Sequence, residues 1–375
     1  MDTPFVLFDD ARDGGAPPRL YRRPTRVLQA RAMADVVPLL GHLKVAVDGG
    51  AHAAGYLAYE AGYALDPKLA PAARVGTSPL AWFGLFEGFE TPDVASLAAG
   101  PASASKPHPR IDEAAYVEGV LRVREHLFAG DFYQANLTFG NDVEVGGEPL
   151  ALYGLLRGRQ RAGWGGVVDT GDSWLVSLSP EQFFTIRDGT IEAKPMKGTA
   201  PRRADPDDDR RGAEELAADP KQRAENLMIV DLMRNDLARL SVPGSVDVPD
   251  LFKVESFPTV HQMVSRITAR LRPGVTAVDA LRTIFPCGSI TGAPKIAAML
   301  ALRDLEPEPR GAYTGSMGWI EPGGDAAFNV MIRTLEGARG HTYARLGLGS
   351  GLVVDSEPRN EWAECLLKGA FVAGS

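Results

Sequence analysis

Cysteine is nearly absent: 375 residues carry two, Cys287 and Cys365. Two thiols give no disulfide framework and no metal-finger spacing, and they suit a reducing cytosol. No apolar run approaches the ~18 residues that cross a bilayer, which excludes a membrane-spanning helix. The opening "MDTPFVLFDDARDGG" sets Asp9, Asp10 and Asp13 around a short apolar run. It lacks the basic start and long apolar core of a signal peptide, so a cytoplasmic location with no membrane partner is expected. Cationic surplus is missing too: 40 basic residues face 48 acidic ones, a net charge of −8. Phosphate backbones are bound through surplus Lys and Arg, so a nucleic-acid partner is disfavoured. There is also no repeat at a solenoid or propeller period.

What is present is an ordinary globular composition, 45% hydrophobic and 23% charged. The length exceeds the usual size of one core, so one large or two intertwined domains are expected. Residues 1–110 read as a β-rich N-terminal part that ends in an Ala/Ser/Pro-rich connection, 91–110. Residues 111–375 read as the main region, intertwined with the first as one large unit. In it, "DEAAYVEGVLRVREHLFAGD" is a helix ending at Gly130, with Tyr116, Val120, Val123 and Leu127 at helical spacing. "FYQANLTF" is a strand. "SWLVSLSPEQFFTIRDGTIEAKPMKGT" is two strands joined at Asp188-Gly189. "PRRADPDDDRR" is an exposed charged loop, and "KQRAENLMIVDLMRNDLARL" a helix. Strands follow at "AYTGSMGWI", "FNVMIRTLE" and "YARLGLGSGLVV", then a helix from about Pro358. Without a βαβ rhythm, this mixture predicts an α+β fold with mostly antiparallel sheets.

Several side chains could carry chemistry. Glu361 and Glu364 project from one face of the last helix, and Glu225 opens another long helix. Carboxylates from two helices would suit Mg²⁺, a hard cation that takes oxygen ligands. A solvated acidic face is the commoner outcome of such spacing. "CGSITGAPK" puts two glycines and two hydroxyls where a helix begins, so backbone N–H groups there could hold a carboxylate. It is not a Walker A loop. Gly347, Gly349 and Gly351 alternate on a strand, through close approach of a ligand or backbone or through a β-bulge. Arg333, among apolar neighbours, offers a bidentate fork to a carboxylate. His261 could orient a substrate or move a proton, although a lone His is more often packed structure. Lys197, in "KPMKGT" after an apolar strand, could be desolvated into a nucleophile or base, with Glu181 of "SPEQFF" as its acid partner.

In this order, "GDFYQANLT", "SLSPEQFF", "KPMKGTAPR", "RAENLMIVDLMRNDLARL", "FPTVHQMVS", "FPCGSITGAPKIAAM", "YTGSMGW", "IRTL" and "GLGSGLVVDSEPRNEWAE" resemble the chorismate-utilising enzymes. That family includes anthranilate, aminodeoxychorismate, isochorismate and salicylate synthases. The resemblance spans residues 130 to 368 and implies large, mostly antiparallel sheets packed as a sandwich with helices outside. Within the family, a lysine in "PMKGT" resembles the aminodeoxychorismate synthases, whereas anthranilate synthases usually carry alanine there. The reaction so implied is amination of chorismate by ammonia, toward p-aminobenzoate and folate. Lys197 would attack C2 of chorismate, with Glu181 as general acid. Mg²⁺ would be held by Glu225, Glu361 and Glu364. Ser289, Thr291, Gly292, Tyr313, Arg333, Gly347, Gly349, Gly351 and Lys368 would bind the substrate, and His261 would line the site. Ammonia would come from a separate glutamine amidotransferase subunit or from free ammonium. Cys287, Leu348 and Ser350 depart from the family's "FPGGS" and "GAGGG". An anthranilate synthase component I and a non-catalytic chorismate-binding subunit are the alternatives.

Overall fold

A computed structural model describes residues 3–257 and 260–374. Pro258 and Thr259 of the "FPTVHQMVS" stretch lie outside the described residues.

Adjacent residues of single strands bury themselves in different cores. In Ala81–Phe86, the side chains of Ala81, Phe83 and Leu85 join one cluster, while Trp82 and Phe86 join another. In Phe5–Asp9, Phe5 and Leu7 point one way and Val6 the other. Side chains alternate along a strand, so strands buried on both faces imply sheets covered on both faces. The described residues form two antiparallel sheets of ten strands each. Val6, Tyr56, Trp82, Val168, Leu175, Met317 and Trp319 fill the space between them. The outer face of the first sheet carries helices Glu113–Ala129, Pro149–Arg159, Lys295–Leu305 and Pro358–Lys368. That of the second carries Met33–Asp48, Pro220–Ala238 and Ala277–Ile284. The layers are therefore helix, sheet, sheet, helix. The α+β sandwich with helices outside, expected from the sequence, is the architecture found. Strands from residues 5–86 enter both sheets: Phe5–Asp9 and Arg19–Arg22 the first, Arg26–Ala30, His52–Leu57 and Ala81–Phe86 the second.

Helix Glu113–Ala129 is bounded by local chemistry. Asp112 accepts a bond from the Ala115 N–H at 2.9 Å, and Gly130 ends the helix at φ 79°. The Asp188-Gly189 hairpin turn has both residues at positive φ, 48° and 71°, the geometry of a two-residue hairpin.

Three local expectations need correction. The string "SWLVSLSPEQFFTIR" is two strands, Ser173–Ser179 in the first sheet and Gln182–Arg187 in the second. Pro180, which has no N–H to give a ladder, stands at the crossing. "FNVMIRTLE" likewise divides into Ala326–Asn329 and Thr334–Ala338, and Arg333 at φ 51° turns the chain between sheets. The two crossings are tied together: Val330 N–H donates to Glu181 O at 3.0 Å and Leu178 N–H to Arg333 O at 3.0 Å. The charged stretch read as a loop folds as helix Pro206–Ala218. Asp205 caps two of its N–H groups, and Pro206 occupies a first-turn position.

Candidate active site

Glu181 sits in the first crossing and is 8% exposed. Ser289 Oγ donates to its Oε1 at 2.7 Å, and Cys287 Sγ lies 3.2 Å from that hydroxyl. Burial raises the pKa of the Glu181 carboxyl, and the Ser289 bond and the Lys197 charge oppose the rise only in part. The shift is in the direction that helps a carboxyl give up a proton as a general acid.

Lys197 lies in the edge strand Met196–Pro201, where the pairing with Val260–Arg270 slips between Met196 and Thr199. Gly198, at φ 85°, makes that irregularity. The residue as a whole is half-buried, yet its amine end is desolvated, and burial pushes the amine pKa down. The Glu181 charge opposes that shift, Lys368 adds to it, and Glu225 and Glu364 oppose it. Among the described residues, no carboxylate forms an ion pair with Lys197. A Cβ built on Gly351 would stand 3.2 Å from Lys197 Nζ and 3.0 Å from Gln134 Nε2.

The glycine strand Tyr343–Leu352 pairs in unbroken register with Gln134–Gly146, so no bulge explains Gly347, Gly349 and Gly351. Close approach does. A side chain at Gly347 would overlap the Tyr313 ring at 2.1 Å, and one at Gly349 would meet Leu137 O at 2.6 Å. Lys368 Nζ donates to Gly349 O at 3.0 Å and pairs with Glu364 at 2.7 Å, which fastens the last helix to this strand. Burial raises the Tyr313 phenol pKa, so its O–H remains a donor. Leu348 points away into the core under the helices, and Ser350 Oγ bonds Tyr116 OH at 2.8 Å. Of the three departures from the family pattern, Cys287 is the one whose side chain has a described bond to a site residue, Ser289.

The "GSITG" turn is a short 3₁₀ segment, Gly288–Ile290, separated from helix Lys295–Leu305 by the two-residue strand Gly292–Ala293. Thr291 Oγ1 is spent on the turn itself, donating to Cys287 O and Gly288 O. Gly292, at φ 150°, lets the chain pass within 2.3 Å of Gln134 O, measured from where a side chain would start. Arg333 is half-buried, and its guanidinium has no hydrogen bond, ion pair or ring contact among the described residues. Burial lowers its pKa with nothing opposing.

Glu225 has its pKa raised by burial; Lys197 and Lys221 oppose the rise, while Glu361 and Glu364 add to it. Three oxygen donors that repel one another are the donor chemistry of a hard dication. Among the described residues, however, no three acidic, His or Cys side chains are gathered at coordinating distance. His261 is held by structural partners. Its Nε2 meets Asp209 at 2.9 Å and its Nδ1 meets Ser256 at 2.9 Å. Both ring nitrogens are engaged, in a cluster that Arg202 completes through Asp209. No described bond links this histidine to Lys197 or Glu181.

Residues 90–374 match the family described as chorismate binding enzyme. The chain belongs to that family. Aminodeoxychorismate synthase component 1 of Klebsiella aerogenes is 45% identical over 249 residues, 66% of this chain and 55% of its own length. The protein of the same name from Escherichia coli K12 is 43% identical over 249 residues, 66% and 54% of the two chains. Anthranilate synthase component 1 of Methanothermobacter thermautotrophicus is 40% identical over 262 residues, 69% and 56% of the two. The chain thus spans about half the length of the curated relatives it matches. The crystal structure of anthranilate synthase component I from Streptococcus pneumoniae superposes with TM-score 0.79 at 24% identity, covering 98% of this chain and 92% of that one. The menaquinone-specific isochorismate synthase of Escherichia coli gives 0.75 at 17% identity, covering 98% and 87%. The fold is therefore that of the chorismate-binding enzymes.

Two residues central to this chorismate-binding fold escaped the sequence reading. Arg310 is fully buried and bonds Glu306, Ile290 O, Asn136 O and Thr314 Oγ1. One guanidinium thereby ties the 288–292 turn to the strand beside it and to the segment that bears Tyr313. An arginine between Pro309 and Gly311 gives no periodic signal. Gln134 had a signal. In "QANLTF" the polar residues Gln134, Asn136 and Thr138 share one face and Ala135, Leu137 and Phe139 the other, and every one of them is buried. A polar stripe on a strand of this kind has to face something other than water.

Proposed function

We propose that the chain is the synthase component of an aminodeoxychorismate synthase, converting chorismate and ammonia to 4-amino-4-deoxychorismate, a precursor of p-aminobenzoate and folate. One observation carries the reading: a desolvated lysine amine beside a glycine strand, within electrostatic reach of a buried carboxyl whose pKa is raised. The names of the relatives at 43% and 45% identity support it.

Neutral Lys197 attacks C2 of the ring, the double bonds shift, and the C4 hydroxyl departs as water after taking a proton from Glu181. Ammonia then adds at C4 and the electrons return, which expels the lysine amine from C2. Ser289 keeps the Glu181 carboxyl oriented. Arg333, Tyr313, the 288–292 turn and the glycine strand hold the substrate's two carboxylates, with Lys368 bracing that strand. Glu225, Glu361 and Glu364 would hold Mg²⁺, which when bound supplies countercharge to a substrate carboxylate. His261 steadies the neighbouring edge through Asp209. The "component 1" in the relatives' names supports a second subunit, here a glutamine amidotransferase that delivers ammonia.

The purified chain is incubated with chorismate, Mg²⁺ and ammonium, followed by the lyase that releases p-aminobenzoate from aminodeoxychorismate. p-Aminobenzoate is the expected product. Anthranilate would reassign the chain to the anthranilate synthases, and absence of any product would leave a chorismate-binding subunit.

A further inference from the structure

Gln134 is 2% exposed, and its Nε2 has no hydrogen-bond acceptor among the described residues. Burying an amide donor without a partner is costly, and buried groups of this kind are normally paired. Its backbone leaves little freedom to escape: Gln134 pairs with Ala293, and Tyr133 N–H donates to Ala293 O at 2.7 Å. The carboxamide therefore points across the strand toward Gly351. There, Nε2 and Lys197 Nζ both lie within 3.2 Å of one point, the place a side chain at position 351 would fill. On the same strand face, Thr138 Oγ1 is already used by Glu306 at 2.9 Å. Gln134 is thus an unsatisfied donor on this stripe, aimed at the space next to the amine that would attack the ring.

We infer that Gln134 contacts the substrate directly, its Nε2 donating a hydrogen bond to an oxygen on a substituent that flanks the carbon attacked by Lys197. The inference rests on the amination reading for the identity of that carbon. Two oxygens qualify by chemistry: the ring carboxylate on C1 and the enol ether oxygen on C3. Either accepts an N–H bond. Neutral Gln suits the position better than a cation, which would further depress the Lys197 amine pKa, or an anion, which would raise it and repel a dianionic substrate.

The test is calorimetric binding to the full chain, as wild type, Gln134→Leu and Gln134→Glu, with melting temperature measured alongside. Chorismate, benzoate (ring carboxylate alone) and 3-methoxybenzoate (carboxylate and ether) are the probes. Gln134→Leu should weaken chorismate about 10-fold while the melting temperature holds or rises, because a buried orphan donor has been removed. Gln134→Glu should weaken it further, about 100-fold. Loss with both aromatic probes assigns the carboxylate, and loss with 3-methoxybenzoate alone assigns the ether. Unchanged chorismate affinity in Gln134→Leu overturns the inference. So does a melting temperature that falls in step with affinity, the mark of a structural role. Failure of the amination reading looks different: the wild type binds chorismate yet yields no amino product.

Discussion

Arg310 and Arg333 are both withdrawn from water, and the protein treats them in opposite ways. Arg310 forks onto Glu306 at 2.7 and 3.0 Å, bonds two main-chain carbonyls and a hydroxyl, and stacks 4.2 Å over Tyr59. Burial pulls its pKa down, and Glu306 with Tyr59 and Tyr313 more than reverse the pull. Arg333 has none of this. It sits at φ 51°, a strained backbone that costs on the order of 1–3 kcal/mol, and its guanidinium lacks any described partner. A buried charge with every bond made is structure. A withdrawn charge with its bonds unmade is maintained at a cost, and a dianionic ligand would relieve that cost. Lys197 and Gln134 belong with Arg333, on the unsatisfied side.

The largest expected effect is at Lys197. Lys197→Ala should lower kcat/KM for chorismate amination by roughly 10³-fold or more, the usual scale for removing a nucleophile. Because the desolvated amine makes no ion pair, the melting temperature should hold or rise. A variant that loses stability along with activity would move Lys197 to the structural side and break the contrast.

The two arginines come next, as a matched pair. Arg310→Met leaves Glu306 buried and unpaired, so urea denaturation should show a loss of about 3–5 kcal/mol. Arg333→Leu should change stability by less than about 0.5 kcal/mol and raise the KM for chorismate about 100-fold, through loss of a charge-assisted fork. Equal stability losses in both would mean that Arg333 has structural partners after all.

The same distinction explains what the sequence revealed and what it hid. Helix Glu113–Ala129 was legible because Asp112 and Gly130 are local caps around a clear apolar stripe. The sheet crossings at Pro180 and Arg333 were not. Apolar strings run through both, and only long-range pairing decides that each string divides between two sheets. Helix Pro206–Ala218 was hidden by its charge, since it buries few side chains and relies on the Asp205 cap. Lys197, Glu181 and the glycine strand were legible as unusual residues in unusual settings, and the roles proposed for them come from the family resemblance alone. Gly351 shows the limit. Its spacing signalled close approach, but that Lys197 and Gln134 are what approach it depends on contacts between distant strands. His261 stood out as a lone histidine, and its engagement by Asp209 and Ser256 is tertiary information.

The smallest effect expected is also the one that separates the two sides by pH. Glu60 belongs to the satisfied cluster, accepting the N–H groups of Arg310 at 2.6 Å and Gly311 at 3.0 Å. Burial pushes its pKa up to about 7, against those bonds. The folded protein therefore holds a proton there that the unfolded chain, titrating near its ordinary 4.5, has released. Stability from this group is full below about pH 4.5 and is lost as pH rises to about 7, a decline of about 2 kcal/mol allowing for relaxation. Asp10 and Asp279, whose pKa values are lowered, act in the opposite sense, and only below the ordinary carboxylate range. Glu60→Gln should make the slope between pH 4.5 and 7 shallower in urea denaturation, leaving the part owed to Glu181 and Glu225, whose pKa values are also raised, with the KM for chorismate unchanged. If the slope is undiminished in that variant, Glu60 is ionised in the fold and the Arg310 cluster holds a second charge pair. If the slope becomes shallower but KM shifts with it, the satisfied cluster reaches into the site, and Arg310 and Arg333 do not belong to separate sets.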